Sequence, residues 1–490
     1  MKMKRLSILL ILIVGLFSAC SEDFLETSPT NQISDTDVFT SVEGSQTVLD
    51  GVLRNMRAYT DGRHDQFGVK AIDLTYDLMG EDLVQATHHW FGWDYRLDNN
   101  QATYAKPSFI WRQFYRIINN VNNILVNIDA ATGTSAAQKA NVKAQALALR
   151  GYSYHELATH FQQTYAANPN APGVPIYLTP TTEGGPRAPL NQVYQQAISD
   201  LEEAIQLMTQ TPYPRRHISD INLNVAHGLR ARVALYMEDW AKARDHALAA
   251  RQGVNLNTRA QFAAGFDSYQ AQTWLWGLEI NDEQSTIYAS LFSHLDMSVG
   301  GYTGLNLAPK VVSQALYDQM LDGDIRKELI GPYTIAAGVT YDLINLKFNA
   351  GRPGGKAFAA DYVMMRPEEM LLIEAEARWH LSDFSGAAGL LQNLWDNRFE
   401  EAPAVPASGQ ALLDAILFDR RVELWGEGFR MRDIRRLQIP LDRTGSNHNA
   451  YANNPLHLQL PANSPLFIYQ IPIAEIDNNE NITSADQNPI

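Results

Sequence analysis

Residues 239–250 read DWAKARDHALAA, and the spacing within this stretch decides the fold. The aromatic Trp240 is followed by Ala243, Ala247 and Ala250. Steps of three and four residues place these side chains on one face of a helix, because an α-helix completes a turn about every 3.6 residues. Alanines on that face let a neighbouring helix approach closely. The stretch therefore predicts a helix packed tightly within a helical protein.

The same spacing recurs earlier and later in the chain. The two other copies are Tyr194, Ala197, Leu201 and Ala204, and Phe384, Ala387, Leu391 and Leu394. The pair Asp239-Trp240 is echoed by Asp383-Phe384. This pattern resembles the second helix of a tetratricopeptide repeat, in which stacked helix pairs share one core. We therefore expect a mainly α fold, a tetratricopeptide-like helical repeat scaffold with long loop and small β insertions.

Helical periodicity also marks the other segments of this scaffold. The predicted helical segments are 109–128, 141–161, 191–208, 224–251, 363–381, 385–399 and 410–436. The helix pairs thus fall roughly within 109–251 and 363–436. Residues 168–190 form a loop rich in Pro and Gly, and 252–362 are mixed, with a strand-like stretch at 273–280. No linker divides the chain, so we expect one domain over residues 20–490.

The N-terminus has the features of a lipoprotein signal. Lys2, Lys4 and Arg5 precede a short apolar run at 6–17, which is typical of a secretory signal peptide ending at residue 19. Cys20 is the only cysteine, and Phe-Ser-Ala-Cys resembles a bacterial lipobox, in which the cysteine becomes the lipid-bearing first residue. The following Ser21-Glu22-Asp23 resembles a signal for export to the outer cell surface. We therefore predict lipidation at Cys20.

Composition excludes several classes of protein. The 490-residue chain has a net charge of −15, whereas nucleic-acid binding needs clustered Lys and Arg. A single cysteine excludes an internal disulfide, so the fold must be held by packing. No nucleic-acid partner and no cofactor are expected.

Several motifs, in order along the chain, resemble the SusD/RagB-like family of outer-membrane lipoproteins. They are CSEDFLETSP (20–29), LRGYSYHELATHF (149–161), PGVPIYL (172–178), LDGDIRKEL (321–329), YVMMRPEEMLLIEAEAR (362–378), FDRRVELWGEGFRMRDIRRL (418–437) and the C-terminal YQIPIAEIDNNENITSADQNPI. Asp419 stands where the family usually has Glu, and Ile471 replaces the first Pro of Pro-Ile-Pro. The resemblance extends from Cys20 to Pro489.

This resemblance implies a location, a partner and a cargo. Members of the family are lipid-anchored on the outer face of the outer membrane in Bacteroidetes-type bacteria. They cap a SusC-like TonB-dependent transporter and help deliver a nutrient, usually an oligosaccharide, into its barrel. The resemblance therefore implies a glycan-binding protein for polysaccharide utilisation, and not an enzyme.

Two polar motifs resemble a zinc site and an acid–base site, but their spacing argues against both. His155-Glu156 and His160 approach the zinc signature His-Glu-x-x-His, but the second histidine lies at i+5 and hence on another helix face. No metal site is expected there. Arg420 with Glu423, and Glu427 with Arg430, are i,i+3 pairs and indicate a structural charge network instead of an acid–base site.

The strongest binding candidate is HHWFGWDYRLDNN (88–100). Flat rings can cover the apolar face of a sugar while polar neighbours bind its hydroxyl groups. Trp90, Trp93 and Tyr95 could share one face if the segment is extended. Asp77 and Asp82 lie where similar proteins often place polar ligand contacts, and Tyr302 is expected on an exposed glycine-flanked turn. The simpler alternative is that these aromatic residues fill the core.

Two other functions stay open at this point. The first is a surface glycoside hydrolase, which would use paired carboxylates. The second is a repeat scaffold that binds only protein partners.

Overall fold

The computed structural model describes residues 37–133, 135–448 and 456–490. The predicted signal peptide and the lipidation site Cys20 lie outside these residues. The described α-helices are α1 (Val42–Asn55), α2 (Val69–Met79), α3 (Gly92–Tyr95), α4 (Ala105–Asn127), α5 (Ala136–Phe161), α6 (Leu190–Gln210), α7 (Leu223–Tyr236), α8 (Trp240–Arg251), α9 (Arg259–Ala263), α10 (Leu291–Leu295), α11 (Gln314–Tyr317), α12 (Ile325–Glu328), α13 (Pro367–His380), α14 (Phe384–Asp396), α15 (Gly409–Glu423), α16 (Arg430–Arg436) and α17 (Ile473–Asn478). Short 3₁₀ helices occur at Asp37–Thr40, Ala357–Ala359, Pro465–Phe467 and Ser484–Asp486.

The helices stack in pairs, as the spacing predicts. The pairs α5–α6, α7–α8 and α13–α14 pack side by side, and α6 contacts α7 while α8 contacts α13. The predicted packing positions are fully buried: Ala197, Leu201, Ala204, Ala243, Ala247, Ala250, Ala387, Leu391 and Leu394. The tetratricopeptide-like scaffold is thus confirmed, with α4 packed on α5 at one side and α15 on α13 at the other.

The repeated Asp-aromatic pair forms the same turn twice. Glu238 and Ser382 adopt left-handed φ angles of 58° and 63°, immediately before the caps Asp239 and Asp383. Each aspartate side chain accepts a hydrogen bond from the amide three residues on, at 3.2 and 3.0 Å. Aspartate is a preferred N-cap because it satisfies amides that have no partner within the helix. The echo seen in the sequence is therefore a helix-start signal.

Small and aromatic side chains set the spacing between helices. At Gly151 in α5, an added Cβ would lie only 2.9 Å from the Ala197 carbonyl oxygen and from Leu201 Cγ of α6. The Trp240 ring stacks on His380, with centroids 3.7 Å apart, and so joins α8 to α13. A larger residue at Gly151 would therefore push α5 and α6 apart. Trp240 fills the gap beside the turn at Glu238-Asp239.

Two of the predicted helices are interrupted. The 363–381 segment begins as a strand, and its helix starts at Pro367, because a proline disfavours helical geometry in the preceding residue. The 410–436 segment ends its first helix at Glu423 and starts another at Arg430. Gly426 and Gly428 lie between them with φ angles of 80° and 98°, a conformation that ends a right-handed helix.

The strands form small antiparallel pairs inserted among the helices. They are β1 (Leu83–Gln85) with β3 (Lys310–Val312), β2 (Trp276–Leu278) with β6 (Tyr362–Met365), β4 (Ile330–Thr334) with β5 (Thr340–Asn345), and β7 (Leu441–Asp442) with β8 (Gln459–Leu460). Trp274 and Trp276, in the stretch 273–280 predicted to be strand-like, are both buried. Leu83 pairs with Val312, which brings the segment before Trp90 beside the segment after Tyr302.

A buried ionic cluster lies where the 252–366 insertion meets the repeats. We call it the arginine–glutamate cluster, and its members are Arg326, Lys347, Arg366, Glu368, Arg398, Asp419, Glu423 and Glu427. Glu423 is its centre, contacted by Arg366 at 2.9 Å, Arg398 at 2.8 Å and Arg326 at 3.2 Å. Burial alone would raise the pKa of Glu423, but Arg398 and Arg366 hold it well below its usual range. The cluster is therefore charged inside the protein.

The cluster confirms a structural charge network but not the predicted local pairs. Arg420 binds Asp433 at 2.8 Å instead of Glu423, and Glu427 binds Arg366 at 2.7 Å instead of Arg430. The predicted Glu427–Arg430 pair fails because the chain leaves the helix after Glu423. The Gly-containing turn then directs Glu427 into the interior. The predicted Arg420–Glu423 pair fails although both residues lie in α15, because Arg366 and Arg398 hold Glu423 while Asp433 holds Arg420.

The two histidines of the zinc-like motif face different neighbours. The His155 ring lies 4.9 Å from that of Tyr236, and the His160 ring lies 4.7 Å from that of Tyr76. This arrangement agrees with the i+5 argument. Throughout the described ranges, no group of three or more His, Cys, Asp or Glu side chains could hold a metal ion.

Removing one cation of the cluster should destabilise the protein strongly. We expect Arg398→Met to lower the free energy of unfolding by about 3–5 kcal/mol, because it leaves Glu423 and Glu368 buried with fewer partners. Urea denaturation measures this change. Arg244→Met is the control, since Arg244 is partly exposed and pairs with its exposed neighbour Asp245, so its loss should cost at most about 1 kcal/mol. Equal effects of the two substitutions would contradict a stabilising cluster.

Acid should destabilise the protein through His155. Burial lowers the pKa of His155 from 6.5 to about 3, so folding favours the neutral ring. Its contribution is complete above pH 6.5 and is lost as the pH falls towards 3. Relative to His155→Phe, the wild type should lose about 2 kcal/mol of unfolding free energy between neutral pH and about pH 4.5. A difference between the two proteins that does not change with pH would refute this assignment.

Candidate functional site

An exposed group of aromatic rings forms around Trp90 and Tyr302. We call it the aromatic patch. Ring contacts join Tyr59, His64, His89, Trp90, Tyr288 and Tyr302, and we include the contacting pair His88 and Trp93, which adjoins His89 and Trp90 in the chain. Tyr59 and Tyr288 are each 39% exposed and Trp93 is 46% exposed, whereas Tyr302 is mostly buried. The patch therefore has a fixed centre and accessible ring faces around it.

The Tyr302 hydroxyl joins segments that are far apart in the chain. Trp90 Nε1 donates a hydrogen bond to it at 2.7 Å, and His64 Nδ1 lies 2.6 Å away. Because the hydroxyl accepts the indole proton, its own proton is available for His64 Nδ1. The His64 ring in turn stacks parallel to Tyr288, with centroids 5.9 Å apart. These contacts fix the relative orientation of the rings.

Buried residues support the patch from below. The His294 ring stacks on Tyr302 at 4.7 Å, and its Nε2 donates to the His64 carbonyl at 2.8 Å. Burial, followed by the charge of Lys310, holds the pKa of His294 well below its usual range, so the ring is neutral. The Arg63 guanidinium lies 5.4 Å from the centre of the Trp90 ring and is held by Asp65 at 3.1 Å.

The segment that carries Trp90 and Trp93 is a tight turn and not an extended strand. Residues Gly92–Tyr95 form the short helix α3, which follows Phe91 in a left-handed conformation with φ of 67°. A Cβ at Gly92 would lie 2.4 Å from His88 Nδ1, so glycine lets the His88 ring pack here. The prediction of one shared face for an extended segment is therefore wrong. Trp93 points outward against His88, and Tyr95 points inward.

The structure separates the predicted site residues into two groups. Trp90, Trp93 and Tyr302 belong to the patch, although Tyr302 is less exposed than its flanking glycines suggest. Tyr95, Asp77 and Asp82 are buried and bonded within the chain. They hold the surrounding scaffold together and are not accessible at the patch.

Each of these buried residues has a defined structural partner. The Tyr95 hydroxyl lies 2.7 Å from His448 Nδ1. Asp82 receives two hydrogen bonds from Arg421 at 2.6 and 3.0 Å, and its pKa is lowered because Arg421 outweighs the effect of burial. Asp77 accepts the amide of Gly428 at 2.8 Å, while burial raises its pKa to about 7.

Sequence reasoning missed Tyr59, Arg63, His64 and Tyr288. A signal for the first three was present, because Asp61-Gly62 is a typical turn pair and lies between Tyr59 and His64. Both turn residues adopt left-handed φ angles, of 59° and 64°. Aromatic and basic residues beside such an exposed turn are candidates for binding. No comparable local signal marks Tyr288.

Comparisons with known sequences identify the family. A family described as "SusD-like" and "Starch-binding associating with outer membrane" matches residues 23–235. The SusD family matches residues 338–490, so the two matches together span most of the chain. The chain belongs to the SusD/RagB-like family. No curated protein matches this SusD/RagB-like chain.

Solved structures of the SusD superfamily share its fold. A SusD-like carbohydrate-binding protein from Bacteroides vulgatus is 29% identical, with a TM-score of 0.81, over 92% of this chain and 98% of that one. A SusD superfamily protein from Bacteroides thetaiotaomicron is 22% identical, with a TM-score of 0.77, over 92% and 100%. Surface glycan-binding protein A from the same species is 16% identical, with a TM-score of 0.71, over 92% and 100%. The last two comparisons establish the fold alone.

The described helices also bear on membrane attachment. None of those within 37–133, 135–448 and 456–490 is long and apolar enough to cross a membrane.

Proposed function

We propose that this SusD/RagB-like chain is a cell-surface glycan-binding lipoprotein. It captures an oligosaccharide at the aromatic patch and passes it to a SusC-like TonB-dependent transporter in the outer membrane. The observation that carries this proposal is the set of exposed rings oriented around the Tyr302 hydroxyl. Their faces are accessible, and the contacts that orient them are made within the protein.

The chemistry of the patch suits a sugar better than a charged or purely apolar ligand. Exposed aromatic faces match the C–H faces of a pyranose ring, and nearby polar atoms match its hydroxyl groups. Trp93 and Tyr288 supply accessible faces, and His64, His89 and Arg63 supply polar atoms. A large exposed group of aromatic side chains needs a functional explanation, because isolated chains rarely leave one uncovered.

Catalysis is not part of the proposal. Glycoside hydrolysis needs two carboxyl groups facing the bound sugar. Four carboxylates close to the patch in the chain or in contacts are paired with cations: Asp65 contacts Arg63 at 3.1 Å, Asp94 contacts Lys106 at 3.4 Å, and Asp61 and Asp98 pair with Arg112 and Arg96. These contacts favour binding and release of the sugar without cleavage. A scaffold that binds only protein partners would leave the oriented rings without a use.

Removing the half-buried Trp90 ring or the exposed Trp93 ring should weaken glycan binding. We expect Trp90→Ala and Trp93→Ala each to raise the dissociation constant at least tenfold, about 1.4 kcal/mol, because a stacking surface is lost. Calorimetry on the mature protein measures this with whichever oligosaccharide of a starch, xylan, pectin and mucin panel binds the wild type. Tyr104→Ala is the control, since Tyr104 is similarly exposed at 39% but lies outside the patch.

The same samples distinguish the alternatives. Affinity unchanged in both tryptophan variants would remove the patch as the binding site. Release of reducing ends during incubation would favour the hydrolase instead. A wild type that binds no member of the panel but co-purifies with a protein partner would favour the interaction scaffold.

Lipidation at Cys20 should hold the protein on the membrane. We expect Cys20→Ala to move the protein from the membrane fraction to the soluble fraction, because the substitution removes the thiol that accepts the lipid. Fractionation of native cells with immunodetection measures this, and Ser21→Ala is the neighbouring control. A Cys20→Ala protein that stays in the membrane fraction would overturn the anchor.

A further inference from the structure

A cavity that shares no lining residue with the aromatic patch opens beside helix α4. Its volume is about 410 Å³, which falls in the range typical of small-molecule sites. Its walls come from three parts of the chain: α4, the loop at 177–184, and α17 with the following residue Asn479. Two of the family-like motifs contribute to its lining, through Tyr177 and through Glu475, Asn478 and Asn479, whereas none of the patch residues lines it.

The floor of the cavity is made of three adjoining rings. Trp111 and Tyr115 of α4 have centroids 4.8 Å apart, and Tyr115 lies 5.6 Å from Tyr177 of the facing loop. Hydrogen bonds hold two of these rings in place. Trp111 Nε1 donates to Glu475 at 3.2 Å, and the Tyr115 hydroxyl donates to the Pro175 carbonyl at 2.8 Å.

The rim of the cavity offers polar groups that have no partner within the protein. In the part of the chain that the structure describes, the side chains of Arg116, Asn119, Thr182 and Glu183 make no hydrogen bond or ion pair, yet all four line the cavity. They include both donors and acceptors and both signs of charge. By contrast, deeper lining groups such as Asn122 are already satisfied, since Asn122 donates to the Tyr177 carbonyl at 2.9 Å.

We propose that this cavity is a second saccharide site, which takes one or two sugar units. The rings, inclined to one another by 46° and 65°, supply apolar contacts, and the free amide, hydroxyl, guanidinium and carboxylate groups supply polar contacts. Together they suit a small polyhydroxylated ring. The volume excludes a long glycan as a fully enclosed ligand. This assignment rests on the lining of the cavity itself and does not depend on glycan binding at the patch.

The two sites are linked by one exposed contact. Arg112, on the cavity rim, forms an ion pair with Asp61 in the turn that carries Tyr59 and His64 of the patch. The turn at 59–64 therefore lies between the cavity and a glycan bound at the patch. The second site can then hold a terminal or branching unit of the same polymer, or a short product of its breakdown.

The test separates the two sites by removing the patch first. Maltose, cellobiose, xylobiose, lactose and digalacturonate are offered at millimolar concentration to the mature Trp90→Ala/Trp93→Ala protein, and binding is followed by saturation-transfer NMR. We expect at least one disaccharide to bind this protein. Asn119→Trp is then added to the patch-deleted protein, because an indole at this exposed position fills the cavity. The dissociation constant of that disaccharide should rise at least tenfold.

A matched substitution controls for the added indole. Val126→Trp lies on the same helix two turns further on, is exposed at 50% in the native chain and does not line the cavity, so it should leave binding unchanged. Failure of every disaccharide to bind the patch-deleted protein overturns the second site. Equal binding by the Asn119→Trp and Val126→Trp proteins also overturns it. The patch proposal is tested separately, by calorimetry of long oligosaccharides with the Trp90→Ala and Trp93→Ala proteins.

Discussion

The fold depends on the arginine–glutamate cluster, in which every buried charge must have a close partner of opposite sign. Moving ions out of water costs several kcal/mol each unless close partners compensate. Here Glu423 faces three guanidinium groups, and Arg366 also contacts Glu368 and Glu427. Phe262 and Phe266 cover Arg398 and Arg366 at 4.7 and 5.0 Å. The insertion at 252–366 is thereby joined to the repeat helices without any disulfide.

Charge pairing then continues from this cluster towards the functional surface. Arg421, on the same helix as Glu423, holds Asp82 immediately before β1. The pairing of β1 with β3 places the Trp90 turn near Tyr302. The patch is thus built on segments that are distant in the sequence but fixed by buried polar contacts. Its geometry is a property of the whole fold and not of one loop.

Features were predictable from the sequence when the interacting residues lie close together along the chain. The repeats were predictable because the offsets of Trp240, Ala243 and Ala247 reflect the local geometry of a helix. The start of α13 at Pro367 and the break after Glu423 also had local signals, in a proline and two glycines. By contrast, Asp82 pairs with Arg421 more than 300 residues away, and no local pattern shows that it is buried. For the same reason the depth of Tyr302 could not be read from its flanking glycines, since Trp90 and His64 cover it.

The hydroxyl at the centre of the patch also has a thermodynamic consequence. Side chains that are free to rotate lose that freedom on complex formation, at about 0.5–1.5 kcal/mol for each flexible group. Much of this rotational freedom is already lost for Trp90, His64 and Tyr302, because hydrogen bonds among these three side chains restrain them. Cargo that meets a surface arranged in advance needs few contacts to be retained and can depart without any rearrangement of the host. Rapid exchange of this kind is what the proposed transfer of a glycan to a transporter requires.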